Sequence, residues 1–170
     1  MGWIGTPFRG MTRRKQVGVD CVNLAAGIYV ETRVLREADC VFPRYRLDHG
    51  THHGESMVIP FIEGIIERTG RLRLAASGAD ARAVAMPGDL LTFTVGRTEH
   101  HVGIALGGQT FVHVFCDYQV MESRLTDSIW AKRLTRVYRP IETVEAREVG
   151  LFTDLRRFNG TDLREEAAHV

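Results

Sequence analysis

The second half of the chain is a succession of short β-type runs with almost no chain to spare between them, and this limits the fold more than any other feature. Runs rich in β-branched and aromatic residues occupy 90–95, 102–106, 110–115, 118–122 and 135–138. Gly107-Gly108 and Cys116-Asp117 separate three of them by connections of hairpin length. Such connections join antiparallel neighbours, because a parallel crossover needs a dozen residues or more. The turn Pro87-Gly88-Asp89 opens the series. An antiparallel sheet of five to six strands is expected.

Ahead of that series the periodicity is helical. Leu24, Ala25, Ile28 and Tyr29 recur on one face, and Leu35 continues it. Asp20 is a good N-cap, so the helix is predicted to begin at or next to Cys21. A second helix is predicted over 59–68, where Phe61, Ile62, Ile65 and Ile66 repeat. Residues 3–20, with a basic cluster at Arg13, Arg14 and Lys15, read as an irregular entry segment. Residues 38–56 read as a loop. A helical half followed by an antiparallel sheet is an α+β layout. A length of 170 residues suits one domain, taken here as 1–140. Residues 141–170, rich in Glu and Arg, form a C-terminal extension in which Leu151, Phe152, Leu155 and Phe158 give some apolar periodicity. It is expected to pack on the domain or on a partner.

Composition removes several functions. Lys plus Arg number 22 against 21 Asp plus Glu, so no general attraction to nucleic acid or anionic membrane is expected. No apolar run approaches the roughly 18 residues of a membrane span. The N-terminus has no basic lead followed by an apolar run, so no signal peptide is expected and synthesis in a cytoplasm is. Three cysteines (Cys21, Cys40, Cys116) without a Cys-x-x-Cys pair argue against a zinc ribbon or a redox motif. His49, His52 and His53, beside Asp48 and Glu55, have metal-ligand composition, but a polar loop near a site mouth accounts for them. No metal or cofactor is expected.

Chemistry concentrates at Cys21. A helix N-terminus offers unpaired N–H groups and about half a positive charge, which favours thiolate and can stabilise an oxyanion. A cysteine in that place, taken alone, is more often a small buried packing residue. A nucleophile needs a base, and the base an orienting group. His101 and His113 fall on adjacent predicted strands, and a hairpin through Gly107-Gly108 brings them side by side, one ring orienting the other. By strand parity His113 shares a face with Phe111 and Phe115, and Val112 and Val114 face the other way. His100 competes with His101 for the base, since strand neighbours face opposite sides.

Taken in order, Trp3-Ile-Gly-Thr-Pro-Phe-Arg, Gly18-Val-Asp-Cys-Val-Asn-Leu, Pro87-Gly-Asp-Leu-Leu-Thr-Phe, His101-Val-Gly-Ile-Ala-Leu-Gly and Phe111-Val-His-Val resemble the NlpC-like papain-fold cysteine peptidases that hydrolyse peptidoglycan. Val120-Met-Glu, Leu125 and Trp130-Ala-Lys-Arg resemble the branch found in phage tail tips and gene-transfer agents. The resemblance runs over roughly residues 2–140. It implies a papain-like fold and an endopeptidase acting on stem peptides, usually between D-γ-glutamyl and the diamino acid. It implies Cys21 as nucleophile, His101 as base and His113 as orienting residue, with Asp20 at a position that helps hold substrate in some members. The expected partners are peptidoglycan stem peptides and tail-tip or hub proteins of a phage-like particle, and the expected place of action is a target cell's wall. Three positions depart from the pattern. Phe8 stands where many members carry Tyr, Val22 replaces a small residue, and Gly10-Met11-Thr12-Arg13 stands where an aromatic-Gly-Gly is common. Phe8 and Val22, with Asp20, are therefore the candidate substrate-binding positions. Phe8, Val22 and the C-terminal extension motivate an alternative, a structural tail protein that keeps the fold with little or no activity.

Overall fold

The structure, a computed structural model, describes residues 2–45 and 55–141. The expected helix forms as α1, Cys21–Glu31, opened by Asp20, whose carboxylate accepts the N–H of Asn23 at 2.9 Å. Nearly all of its residues from Val22 to Tyr29 are buried, as befits a helix that is apolar all round. Gly27 is required there, since a Cβ would stand 2.6 Å from the Trp3 ring. The helix ends earlier than the periodicity suggests. Thr32 caps it through its hydroxyl to the Ile28 carbonyl, and Arg33 turns left-handed. Leu35 is nevertheless buried, returned to the core by its N–H bond to the Tyr29 carbonyl, so it belongs to the core without belonging to the helix.

The entry segment is more ordered than its composition suggests. A two-residue hairpin, β1 (Arg13–Arg14) and β2 (Gly18–Val19), precedes α1. Gly5 and Phe8 donate their N–H groups to Val120 and Tyr118, and Val120 donates back to Thr6. Residues 118–120, expected to begin a strand, pair instead with this segment. Helix α2 spans Val58–Thr69, buries Val58, Ile59, Ile62 and Ile65 at helical spacing, and stops at Gly70 in the left-handed region.

The sheet has six strands in the order β3-β8-β4-β5-β6-β7, all antiparallel. They are β3 (Leu72–Ser77), β4 (Leu90–Val95), β5 (Thr98–Ala105), β6 (Thr110–His113), β7 (Met121–Arg124) and β8 (Leu134–Pro140), with short helices α3 (Ala81–Val84) and α4 (Ser128–Ala131) between them. Strand β3 has no counterpart among the expected runs: its Arg73 and paired alanines carry little β preference, and it exists because β8 supplies a partner. The α+β expectation, with a cysteine-bearing helical half on an antiparallel sheet of five to six strands, holds.

Each face of the sheet carries its own core. Leu90, Val102, Ile104, Val112 and Val114 pack with α1 and α2, whereas Leu91, Phe93, Phe111 and Val137 pack with Trp130 of α4. The loop residues 46–54 and the extension 142–170, including His49, His52, His53 and the apolar positions beyond 150, lie outside the described residues. No described helix is long and apolar enough to cross a membrane.

One buried ion pair ties the turn before β4 to β8. Asp89, 1% exposed, accepts Nε and Nη2 of Arg139 at 3.0 and 2.8 Å and the N–H of Met86 at 2.9 Å. Arg139 also donates to the Val84 carbonyl. The expected turn role of Asp89 is therefore joined by a bidentate bridge. Replacing Asp89 with Ala is expected to cost about 3 kcal/mol, because the guanidinium and the Met86 N–H both lose their acceptor. Urea unfolding of the variant measures this, and an unchanged midpoint refutes it.

Candidate active site

Cys21, His101, Asp20, Phe8 and Val22, five of the six candidate positions, line one open cleft, together with Tyr45, Met57, His100, Phe115 and Cys116. The sixth, His113, stands behind His101 with its Nδ1 3.1 Å from the Nε2 of that ring. The predicted side-by-side arrangement of the two histidines is thus observed, and His113 faces Phe111 as parity requires.

The local backbone makes this meeting possible. Strands β5 and β6 pair only at Ile104↔Val112 and Ala105↔Phe111, so the ladder is already open where His101 and His113 stand. Gly103 lies between: a Cβ there would come within 2.7 Å of the Phe111 ring and 3.3 Å of the His113 Cβ. Next to His101, pairing with β4 shifts from Phe93↔His101 to Thr94↔Glu99, which leaves His100 as an extra, bulged residue. The alternation that would hide either His100 or His101 is broken, and both line the cleft.

The imidazole pair sits in an aromatic box. Trp130 stacks on His101 at 5.5 Å between centroids and meets His113 edge-on at 4.7 Å, and Phe93, Phe111 and Phe115 contribute further ring contacts. Burial, reinforced by the neighbouring His113, His100 and Arg133, pushes His101 well below its ordinary value. Burial alone takes His113 down to about 4. On its far side His113 Nε2 is 2.8 Å from the Ser123 hydroxyl of β7.

Cys21 is half-buried at the first position of α1. Burial, then the negative charge of Asp20, push its thiol up to about 12, against the backbone N–H groups of Val102, Val22 and Cys21 itself, which favour the anion. The resting side chain is a thiol, contrary to what the helix terminus alone suggests. The Asp20 carboxylate points inward. It accepts N–H groups from Met11 and Asn23, the Asn23 amide, and the Tyr45 hydroxyl at 2.7 Å. Asn23 in turn donates to the Tyr45 oxygen at 2.8 Å. Tyr45 therefore brings a phenol to the cleft that holds Phe8, and burial with the nearby Asp20 raises its pKa. Nothing in the residue pattern marks Tyr45, which comes from a segment without periodicity. Trp130 and Ser123 are likewise unmarked as neighbours of the histidines; only the strand order places them there.

Of the other cysteines, Cys40 is buried in the core and Cys116 is exposed at the cleft mouth. Among the described residues no group of three or more His, Cys, Asp or Glu is placed to hold a metal ion.

The chain is similar to known proteins. The profile of the NlpC/P60 family matches residues 5–139. The protein named Murein DD-endopeptidase MepS/Murein LD-carboxypeptidase of Escherichia coli K12 is 31% identical over 130 residues, covering 69% of this chain and 66% of that protein. Its namesake in Escherichia coli O157:H7 matches to the same extent. The chain thus spans just under two thirds of these curated relatives. Among solved structures, the NlpC/p60 domain of peptidoglycan hydrolase SagA superposes with a TM-score of 0.48 at 19% identity, over 79% of this chain and 88% of that one. A Staphylococcus aureus Mu50 protein of the NLP/P60 family gives the same TM-score and identity over 83% and 38%.

Two consequences are measurable. Because His113 is buried neutral, the native state binds fewer protons than the unfolded state below pH 6.5. Its contribution is whole above that value and is lost as pH falls toward about 4, where it reaches about 3 kcal/mol. Urea unfolding at neutral and acid pH is expected to show this loss, reduced in His113→Gln; an equal acid sensitivity of the two proteins contradicts it. Alkylation of Cys21 by iodoacetamide, followed on its own peptide by mass spectrometry, is expected to keep rising beyond pH 9.0, the ordinary thiol value. In Asp20→Asn the curve moves to lower pH. A plateau below neutrality in the wild type rejects the protonated resting thiol.

Proposed function

Because the chain belongs to the NlpC/P60 family, we propose that it is a cysteine peptidase that hydrolyses amide bonds in peptidoglycan stem peptides. The observation that carries this reading is the placement of Cys21 and His101 in one cleft, with His101 backed by His113 at 3.1 Å. A thiol at a helix start, an imidazole facing the same space and a second ring that fixes the first are the parts a thiol acyl-transfer reaction needs.

In this mechanism the Cys21 sulfur attacks the scissile carbonyl as its proton passes to Nδ1 of His101, the nitrogen not engaged with His113. The developing oxyanion meets N–H groups at the start of α1, where those of Cys21 and Val22 already point at the sulfur. Collapse breaks the C–N bond, and the leaving amine takes the proton from His101. Water, deprotonated by the same ring, then cleaves the thioester and restores the thiol. With the thiol up near 12 and His101 depressed, the transfer accompanies the attack instead of preceding it.

The bond and the setting are finer proposals. The motif resemblance supports the D-γ-glutamyl–diamino acid bond. The name of the Escherichia coli relatives adds DD-endopeptidase and LD-carboxypeptidase activities as competing assignments. Resemblance of the segment around Val120, Leu125 and Trp130 to tail-tip peptidases supports a component of a phage-like particle that opens the target cell's wall. A second reading, a tail protein with little or no turnover, draws on Phe8 and Val22, which make that part of the cleft wall apolar.

Incubation of purified sacculi with the wild type is expected to release new amino groups, and Cys21→Ala to reduce that release by at least about a hundredfold. Mass spectrometry of the muropeptides identifies the bond. Equal release by the variant sinks the nucleophile assignment, and no release by either protein supports the non-catalytic reading.

A further inference from the structure

We propose that Ser123 is a positioning residue for the proposed peptidase reaction: its hydroxyl accepts the Nε2 proton of His113 and thereby fixes which nitrogen of His101 is free to act as base. The proposal rests on the peptidase reading above and adds a residue that its motifs do not contain.

The geometry is a chain of two hydrogen bonds. His101 Nε2 lies 3.1 Å from His113 Nδ1, and His113 Nε2 lies 2.8 Å from Ser123 Oγ. A neutral imidazole has one donor and one acceptor nitrogen, so the protons in such a chain all point the same way. Two directions exist. In the first, His101 carries its proton on Nε2 and donates to His113 Nδ1, and His113 donates from Nε2 to Ser123. Nδ1 of His101 is then a lone pair. In the second, Ser123 donates to His113 Nε2, His113 donates from Nδ1 to His101 Nε2, and His101 carries a proton on Nδ1. Only the first leaves His101 able to take the thiol proton.

After that transfer His101 carries protons on both nitrogens, and its Nε2 still donates to His113. The first direction therefore serves both states of the cycle without rearrangement, and no proton leaves through Ser123. His113 is 1% exposed, so its Nε2 proton depends on an acceptor inside the protein. Without the hydroxyl that buried N–H is orphaned. A bare imidazole nitrogen is the lesser cost, because unpaired buried N–H groups are the rarer of the two defects. Loss of the hydroxyl thus tilts both rings toward the second, unproductive direction. Ser123 is half-buried on the edge strand β7, directly across from Phe111, so removing one oxygen there leaves the packing of the core in place.

The test compares wild type, Ser123→Ala and Ser123→Thr by two measurements. One is turnover on purified sacculi. The other is the tautomeric state of His101 and His113, read from long-range proton–nitrogen correlations in histidine-labelled protein. Ser123→Ala is expected to lower kcat about tenfold or more with KM changed less than about twofold, and to shift His101 toward the form protonated on Nδ1. Ser123→Thr restores both. Unchanged tautomers in Ser123→Ala overturn the proposal, whether or not activity falls. Loss of kcat that Ser123→Thr fails to rescue also overturns it. A wild type without activity on sacculi defeats the peptidase reading instead, and the tautomer comparison then still decides the part played by Ser123.

Discussion

A single buried carboxylate organises the cleft. Asp20 caps α1 through the Asn23 N–H, holds the Met11 N–H of the entry loop, and fixes the hydroxyl of Tyr45 from the segment after α1. Three stretches of chain are gathered on one side chain that is 1% exposed. Cys21 follows it directly, so the cap sets where the Cys21 backbone stands, and the core packing of α1 holds it there. The papain-like layout depends on this junction, because the helix start must meet the sheet at the point where β5 and β6 part.

The same carboxylate works against the thiolate. A helix N-terminus contributes at most about 2 kcal/mol toward a negative charge. Raising a thiol from 9.0 to about 12 corresponds to roughly 4 kcal/mol in the other direction, so burial and Asp20 together outweigh the terminus. The aromatic box does the equivalent to the histidines, holding both rings neutral. Under the peptidase mechanism proposed above, thiol and imidazole both start neutral, and charge would separate only once a carbonyl is in place and its oxyanion meets fixed N–H groups.

How much of this is readable in the residues follows from the range of the interactions. The convergence of Cys21, His101 and His113 is legible because each sits in a short local pattern: a capped helix start and two strands joined by a glycine hairpin. The second helix is legible for the same reason. Strand β3 is not, since its residues have little strand preference and owe their conformation to β8, more than fifty residues away in sequence. The end of α1 is misjudged by periodicity because Leu35 keeps the buried pattern after the helix has stopped, through one backbone bond to Tyr29. Tyr45 and Ser123 carry no local signal at all, and the motif around Trp130 does not show that its ring meets the histidines. Tyr45 reaches the site through the Asp20 carboxylate, and Trp130 and Ser123 through tertiary pairing that only the assembled sheet specifies.

The bulge at His100 shows why parity arguments fail where function concentrates. A regular β5 would show one histidine to the cleft and turn the next away. The added residue allows His100 and His101 to line the same space and still keeps Phe93↔His101 in register for the aromatic box. The ladder on the other side ends at Val112, one residue short of His113, and the two rings meet beyond it through the His101–His113 bond. Around the histidines, sheet regularity is given up on both sides of β5. The rest of the sheet, locked by Asp89 and Arg139 at the opposite end of β4, holds it there.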